Sequence, residues 1–141
     1  MLIRSAVMFT ALLGLSNQFF LVAQTEPSKA ELVVQTGHSG EIRAVAFSPD
    51  GRLLATGGDD ATVKLWDVAS GLEIRTLYGL TDKVMDVEFS PDGKNIAGCG
   101  DSVIRLWDTA TGAAVKRLSG HTWNVNSIEF SPDGERLASA S

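Results

Sequence analysis

The pentapeptide Phe47-Ser48-Pro49-Asp50-Gly51 returns as Phe89-Ser90-Pro91-Asp92-Gly93 and again as Phe130-Ser131-Pro132-Asp133-Gly134, at intervals of 42 and 41 residues. Each copy reads as a tight turn: proline presets φ, aspartate bonds the backbone near it, and glycine accepts a positive φ. Two further markers keep the same period. Leu65-Trp66-Asp67 returns 41 residues later as Leu106-Trp107-Asp108. Gly37-His38 returns as Gly120-His121, with Gly79-Leu80 at the intermediate place, and each of these glycines stands ten residues before its phenylalanine. Three markers in constant order at a constant spacing describe a chain built from repeated supersecondary units.

Within one period the pattern is that of four short strands. Ile42, Ala44 and Ala46 alternate with Arg43, Val45 and Phe47, and both sets contain apolar residues, as in a strand covered on both faces. A second strand is predicted over 53–57, a turn at 59–61, a third strand over 62–67, a turn at 69–71 and a fourth strand over 72–77. No segment combines helical length with a 3.6-residue apolar spacing. The expected class is all-β.

Gly-His, Phe-Ser-Pro-Asp-Gly and Leu-Trp-Asp at this period resemble the WD-repeat β-propeller family, over residues 31–141. The resemblance implies blades of four antiparallel strands packed side by side around a channel, because one blade cannot cover both of its own faces. The blades expected on this chain are 37–78, 79–119 and a shortened 120–141, so the propeller is incomplete and open. About two and a half blades fall short of the four that a closed ring needs, so further blades or further copies are expected, in a longer chain or an assembly. Residues 31–36 take the place of an outer strand that would close such a ring.

His38, Thr56 and Asp60 could be sketched as a hydroxyl–imidazole–carboxylate relay. The resemblance implies another role, a buried hydrogen-bonded chain joining Trp66, Thr56, His38 and Asp60 inside the blade. The second repeat departs from it. Leu80 replaces the histidine, Gly98 or Ala97 replaces the hydroxyl, and one residue is missing near the second turn, which leaves Asp101 and Trp107 without intermediaries. This blade is expected to be the less rigid one. In the third repeat His121 and Ser139 match two members of the chain. A site that recurs with the repeat is a scaffold feature, so no catalytic residue is assigned.

Composition supports a globular reading. Hydrophobic residues make up 44% and charged residues 21%, which suits a folded chain rather than a disordered one. Seventeen acidic against 12 basic residues give a net charge of −5, which argues against a nucleic-acid surface. Cys99 is the only cysteine; it lies in the run Ile96-Ala97-Gly98-Cys99-Gly100 and reads as a buried structural thiol, with no disulfide, metal or cofactor implied.

The N-terminal region has another character. Arg4 is the only charge before Glu26, residues 6–15 are apolar, and Ser16-Asn17-Gln18 breaks the run. Residues 1–23 read as a secretory signal peptide, with an uncleaved membrane anchor over 5–23 as the alternative, and 24–30 as a polar tether. The expected location is therefore periplasmic or secreted, with membrane contact only if the segment stays uncleaved.

Propellers of this family act as platforms for proteins or peptides, on the loops leading into the first strand of each blade. Loop positions that differ between repeats are the binding candidates: Gly40, Asp82 and Trp123 correspond, as do Glu41, Lys83 and Asn124, and Arg43, Met85 and Asn126. An aromatic beside asparagines suits an interface hot spot, the alternative being that Trp123 packs on a neighbouring loop. The alternative classes are a binding arm of an enzyme or sensor whose catalytic domain lies beyond residue 141, and a TolB-like periplasmic propeller.

Overall fold

The computed structural model describes the backbone of residues 19–23 and 30–34 and the whole of residues 37–141. Alternating apolar residues between strong turns produce strands only, and no helix occurs among the described residues. It follows that none there is long and apolar enough to cross a membrane. Strands β1 (Phe19–Ala23) and β2 (Ala30–Val34) pair antiparallel as a two-stranded sheet. The first repeat forms the antiparallel sheet β3-β4-β5-β6, from β3 (Ile42–Phe47), β4 (Leu53–Gly58), β5 (Val63–Asp67) and β6 (Glu73–Leu77). The second repeat forms β7-β8-β9-β10, from β7 (Asp86–Phe89), β8 (Asn95–Cys99), β9 (Val103–Asp108) and β10 (Ala114–Ser119). β11 (Ser127–Phe130) and β12 (Leu137–Ala140) pair as the start of a third sheet. The fold is all-β and open, as expected of a partial propeller.

The segment expected to act as an outer closing strand, 31–36, is described over 31–34, where it belongs to β2 and pairs with β1. Most of the signal-peptide reading (1–18) and most of the tether (24–29) lie outside the described residues.

The repeated turn explains why the pentapeptide is so uniform. Ser48 Oγ donates to Asp50 Oδ1 at 2.6 Å, and Asp50 Oδ1 accepts from the Arg52 amide at 3.0 Å. The Leu53 amide donates back to Ser48 Oγ at 2.9 Å, and Gly51 closes the turn onto the Ser48 carbonyl at 2.8 Å with φ of 69°. The same bonds recur around Ser90 and Ser131. The aspartate of Leu-Trp-Asp serves the next turn: Asp67 Oδ1 accepts from Ser70, and Asp108 Oδ1 from Thr111.

Two cores lie between the sheets. One, between the first and second, gathers Ala44, Val63, Leu65, Leu77, Val84, Val87, Phe89 and Trp107. The other, between the second and third, gathers Ala97, Cys99, Ile104, Val125 and Ile128. Carboxylates of β7 reinforce the second interface: Asp86 Oδ2 accepts from the Ile128 amide at 2.9 Å, and Glu88 Oε2 from the Phe130 amide at 2.6 Å. Cys99 is fully buried, and burial pushes its thiol up to about 12, so no thiolate forms near neutral pH.

Candidate functional site

The loops that enter β7 and β11 line one rim with the loop that enters β3, because each of the first two is bonded to the sheet before it. The Val84 amide donates to the Gly58 carbonyl at 3.0 Å, and the Val125 amide donates to the Asp101 carbonyl at 3.0 Å. Within the first repeat the Asp59 amide bonds the Glu41 carbonyl at 2.9 Å. These bonds repeat from sheet to sheet, so the side chains they carry are presented side by side.

Arg43 and Lys83 meet at Asp59, a turn residue that the sequence offers only as half of a weak Asp59-Asp60 cation signal, and Glu41 joins them through Arg43. Arg43 donates to both Asp59 oxygens, through Nη2 at 3.1 Å and through Nε. Lys83 Nζ, from the second repeat, reaches Asp59 Oδ2 at 3.4 Å, and Glu41 Oε2 accepts from Arg43 Nη2 at 3.3 Å. The Arg43 hydrogen bond, opposed by some burial and supported by Lys83, holds the Asp59 carboxyl below its ordinary value. Asn124 and Asn126 are exposed on the neighbouring loop, and Trp123 beside them is 79% exposed. Met85 sits differently: it is half-buried against the second core. Asp59 was hard to find in sequence because its partners stand 16 and 24 residues away, the latter in the loop before β7.

Beneath this rim lies the buried polar chain of the first repeat. Trp66 Nε1 donates to Thr56 Oγ1 at 2.8 Å, and His38 Nε2 lies 2.8 Å from the same oxygen. His38 Nδ1 stands 3.0 Å from both Asp60 oxygens. The indole can only donate and the carboxylate can only accept, so the Thr56 hydroxyl donates to Nε2 and Nδ1–H donates to Asp60. Burial pushes the Asp60 carboxyl up, but hydrogen bonds from Thr62, His38 and the Ser39 amide outweigh it and hold it down at about 2. Thr56 is buried and engaged on both sides, so its hydroxyl is not presented to any substrate.

The second repeat does not reproduce the chain. Trp107 Nε1 donates instead to the Tyr78 carbonyl at 3.1 Å, and Asp101 accepts from Thr81 Oγ1 at 2.6 Å and the Val103 amide at 3.0 Å. The ladder decides which residue replaces the hydroxyl. Gly98 lies opposite Val87 and Arg105, as Thr56 lies opposite Val45 and Lys64, so Gly98 takes the place. In the third repeat His121 Nε2 and Ser139 Oγ are 2.8 Å apart. Among the described residues no group of three or more His, Cys, Asp or Glu side chains could hold a metal ion.

The family model for the WD domain, G-beta repeat (WD40) matches residues 30–67, 71–108 and 112–141. The chain belongs to the WD40 repeat family. Repeats of this family indicate a protein-interaction scaffold, and proteins that carry them are generally non-enzymatic. Protein tipD of Dictyostelium discoideum is 49% identical over 72 residues, 51% of this chain and 12% of tipD. Eukaryotic translation initiation factor 3 subunit I of Phaeosphaeria nodorum is 42% identical over 62 residues, 44% of this chain and 18% of that subunit. The ribosome biogenesis protein BOP1 homolog of Caenorhabditis elegans is 40% identical over 80 residues, 45% of this chain and 12% of that protein. The matched WD40 segment therefore spans less than a fifth of each of these relatives.

Proposed function

We propose that this WD40 chain is a non-catalytic scaffold that holds a partner protein or peptide on the rim formed by Glu41, Arg43, Lys83, Trp123, Asn124 and Asn126. The observation that carries the reading is Trp123, a large aromatic left 79% exposed among asparagines on that rim. Burying such a side chain under a partner supplies the central contact that interfaces depend on. Arg43 and Lys83, held by Asp59, add charged donors in fixed positions. The net charge of −5 favours a protein partner over nucleic acid. The relatives named for translation initiation and ribosome biogenesis fit a chain whose part is played inside a larger assembly.

The test is affinity capture with the full chain and with Trp123→Ala and Arg43→Ala/Lys83→Ala. A partner retained by the parent and by a surface control, Arg136→Ala, but weakened by both rim variants supports the reading. Equal retention by all four would overturn it.

The N-terminal 23 residues are proposed to direct export, on the strength of Arg4 followed by the apolar run 6–15. Fractionation with N-terminal sequencing of the mature chain decides this: a chain starting at Gln24 outside the cytoplasm is the expected result, and an intact Met1 in the cytoplasm contradicts it.

A further inference from the structure

Lys64 and Arg105 hold the same place in successive repeats, two residues before Trp66 and Trp107. In the first repeat the cation is fully satisfied. Lys64 Nζ donates to Glu73 Oε2 at 2.9 Å, to Glu73 Oε1 at 3.1 Å and to Thr76 Oγ1 at 2.9 Å. The ladder sets Trp66 opposite Glu73 and Lys64 opposite Thr76. In the second repeat the same ladder sets Trp107 opposite Ala114 and Arg105 opposite Arg117. The second sheet therefore keeps the cation, lacks the carboxylate, and carries a second cation where the first has a hydroxyl.

Arg105 and Arg117 face each other across two strands with no acid between them, an arrangement that repels. Among the described residues neither makes an ion pair, and the buried Nε of Arg105, packed against Gly79, has no hydrogen-bond partner. The chain does not lack acids, having 17. Protection of a free strand edge by charge would explain Lys116 and Arg117, which are exposed on the edge strand β10. It does not explain Arg105, which lies on the interior strand β9.

We propose that Arg105 and Arg117 form a carboxylate-binding site on the outer flank of the second sheet, occupied by an Asp or Glu side chain of a partner protein. The first sheet supplies its own carboxylate, Glu73; the second takes one from outside. Paired guanidinium groups suit a carboxylate because each offers parallel N–H donors to its two oxygens. This flank is distinct from the loop rim, and the inference does not depend on the rim being a binding surface.

The test uses the full chain and a hexaglutamate peptide at low ionic strength, where surface charge is least screened, with binding followed by titration calorimetry. The expected result is saturable binding that weakens about tenfold or more in Arg117→Thr, which installs the residue of the first sheet. Ala114→Glu, which supplies the internal carboxylate, should also weaken binding and should raise Tm. Trp123→Ala should bind the peptide as the parent does. Absence of saturable peptide binding, or equal affinity in Arg117→Thr and the parent, overturns the proposal. So does inorganic phosphate binding with the same dependence on Arg117 when the peptide does not bind. Arg117 is exposed, so Arg117→Thr keeps the test decisive even where Ala114→Glu fails to fold.

Discussion

Thr56 concentrates the polar energetics of the first sheet, since its one hydroxyl accepts from Trp66 and donates to His38. Thr56→Val keeps shape and removes both bonds, leaving an indole N–H and an imidazole nitrogen buried without partners. Each unsatisfied group costs about 1–3 kcal/mol, so a loss of roughly 2–5 kcal/mol is expected in urea denaturation. A loss below about 1 kcal/mol would mean that water reaches the site. Asp60 adds a pH signature. Its folded value, about 2, lies below the ordinary carboxyl value of 3.8. The stability it confers is therefore present above about pH 4 and lost as pH falls through about 2. Asp60→Asn should be less stable at neutral pH and should lose less stability than the parent between those limits; parallel curves would contradict the assignment. These four residues are legible in sequence through the family resemblance and not through the repeat alone, since the second repeat puts Leu80 and Gly98 where the first has His38 and Thr56. The acceptor of Trp107 was not, because the Tyr78 carbonyl is backbone and leaves no trace in side-chain identity. Asp59 was hidden for a related reason: its value depends on two cations that only the packing of neighbouring sheets brings together.

Strands and turns were the most legible elements, since the Ser-Pro-Asp-Gly and Leu-Trp-Asp side chains bond within their own turns. What the repeat leaves open is how the sheets differ. Along β5, Val63 to Trp66 are all buried, whereas on β9 Arg105 and Leu106 are only partly so. Combined with the hydrogen-bonded chain below Trp66, this favours slower opening of the first sheet. Amides of residues 62–66 are expected to exchange more slowly than those of 103–107, and the reverse order in a hydrogen-exchange experiment would show that cover by two neighbouring sheets matters more. The link between sheets can be tested at Gly100. A Cβ there would fall inside contact distance of the Lys83 carbonyl, on the backbone of the rim loop. Gly100→Ala must push that loop away, at a cost of about 1–3 kcal/mol. It should also break the Lys83–Asp59 contact, visible as a loss of Lys83 side-chain order by NMR. A variant as stable as the parent would mean that the loop yields freely.

At the scale of the molecule, each sheet is the cover for the next. Val87 is 3% and Phe89 5% exposed because the first sheet lies over them, while Val45 and Phe47, the same positions one repeat earlier, are 55% and 51% exposed. Corresponding positions in the two repeats thus differ in whether a described sheet covers them. This is why composition and periodicity announce a propeller, yet no single repeat reveals which of its apolar residues are dry. Burying such a pair is worth about 1.5–3 kcal/mol per side chain, and an uncovered face carries that tendency into association. Val45→Thr/Phe47→Ser should therefore weaken self-association of the full chain about tenfold or more in concentration-dependent light scattering. Its Tm should change little, because these side chains are about half exposed and no sheet among the described residues covers them. If Tm collapses instead, Val45 and Phe47 are internal core residues and the face is covered in solution. If scattering is unchanged with Tm preserved, association proceeds through the free edges of β10 and β12, where unpaired backbone groups offer the competing route.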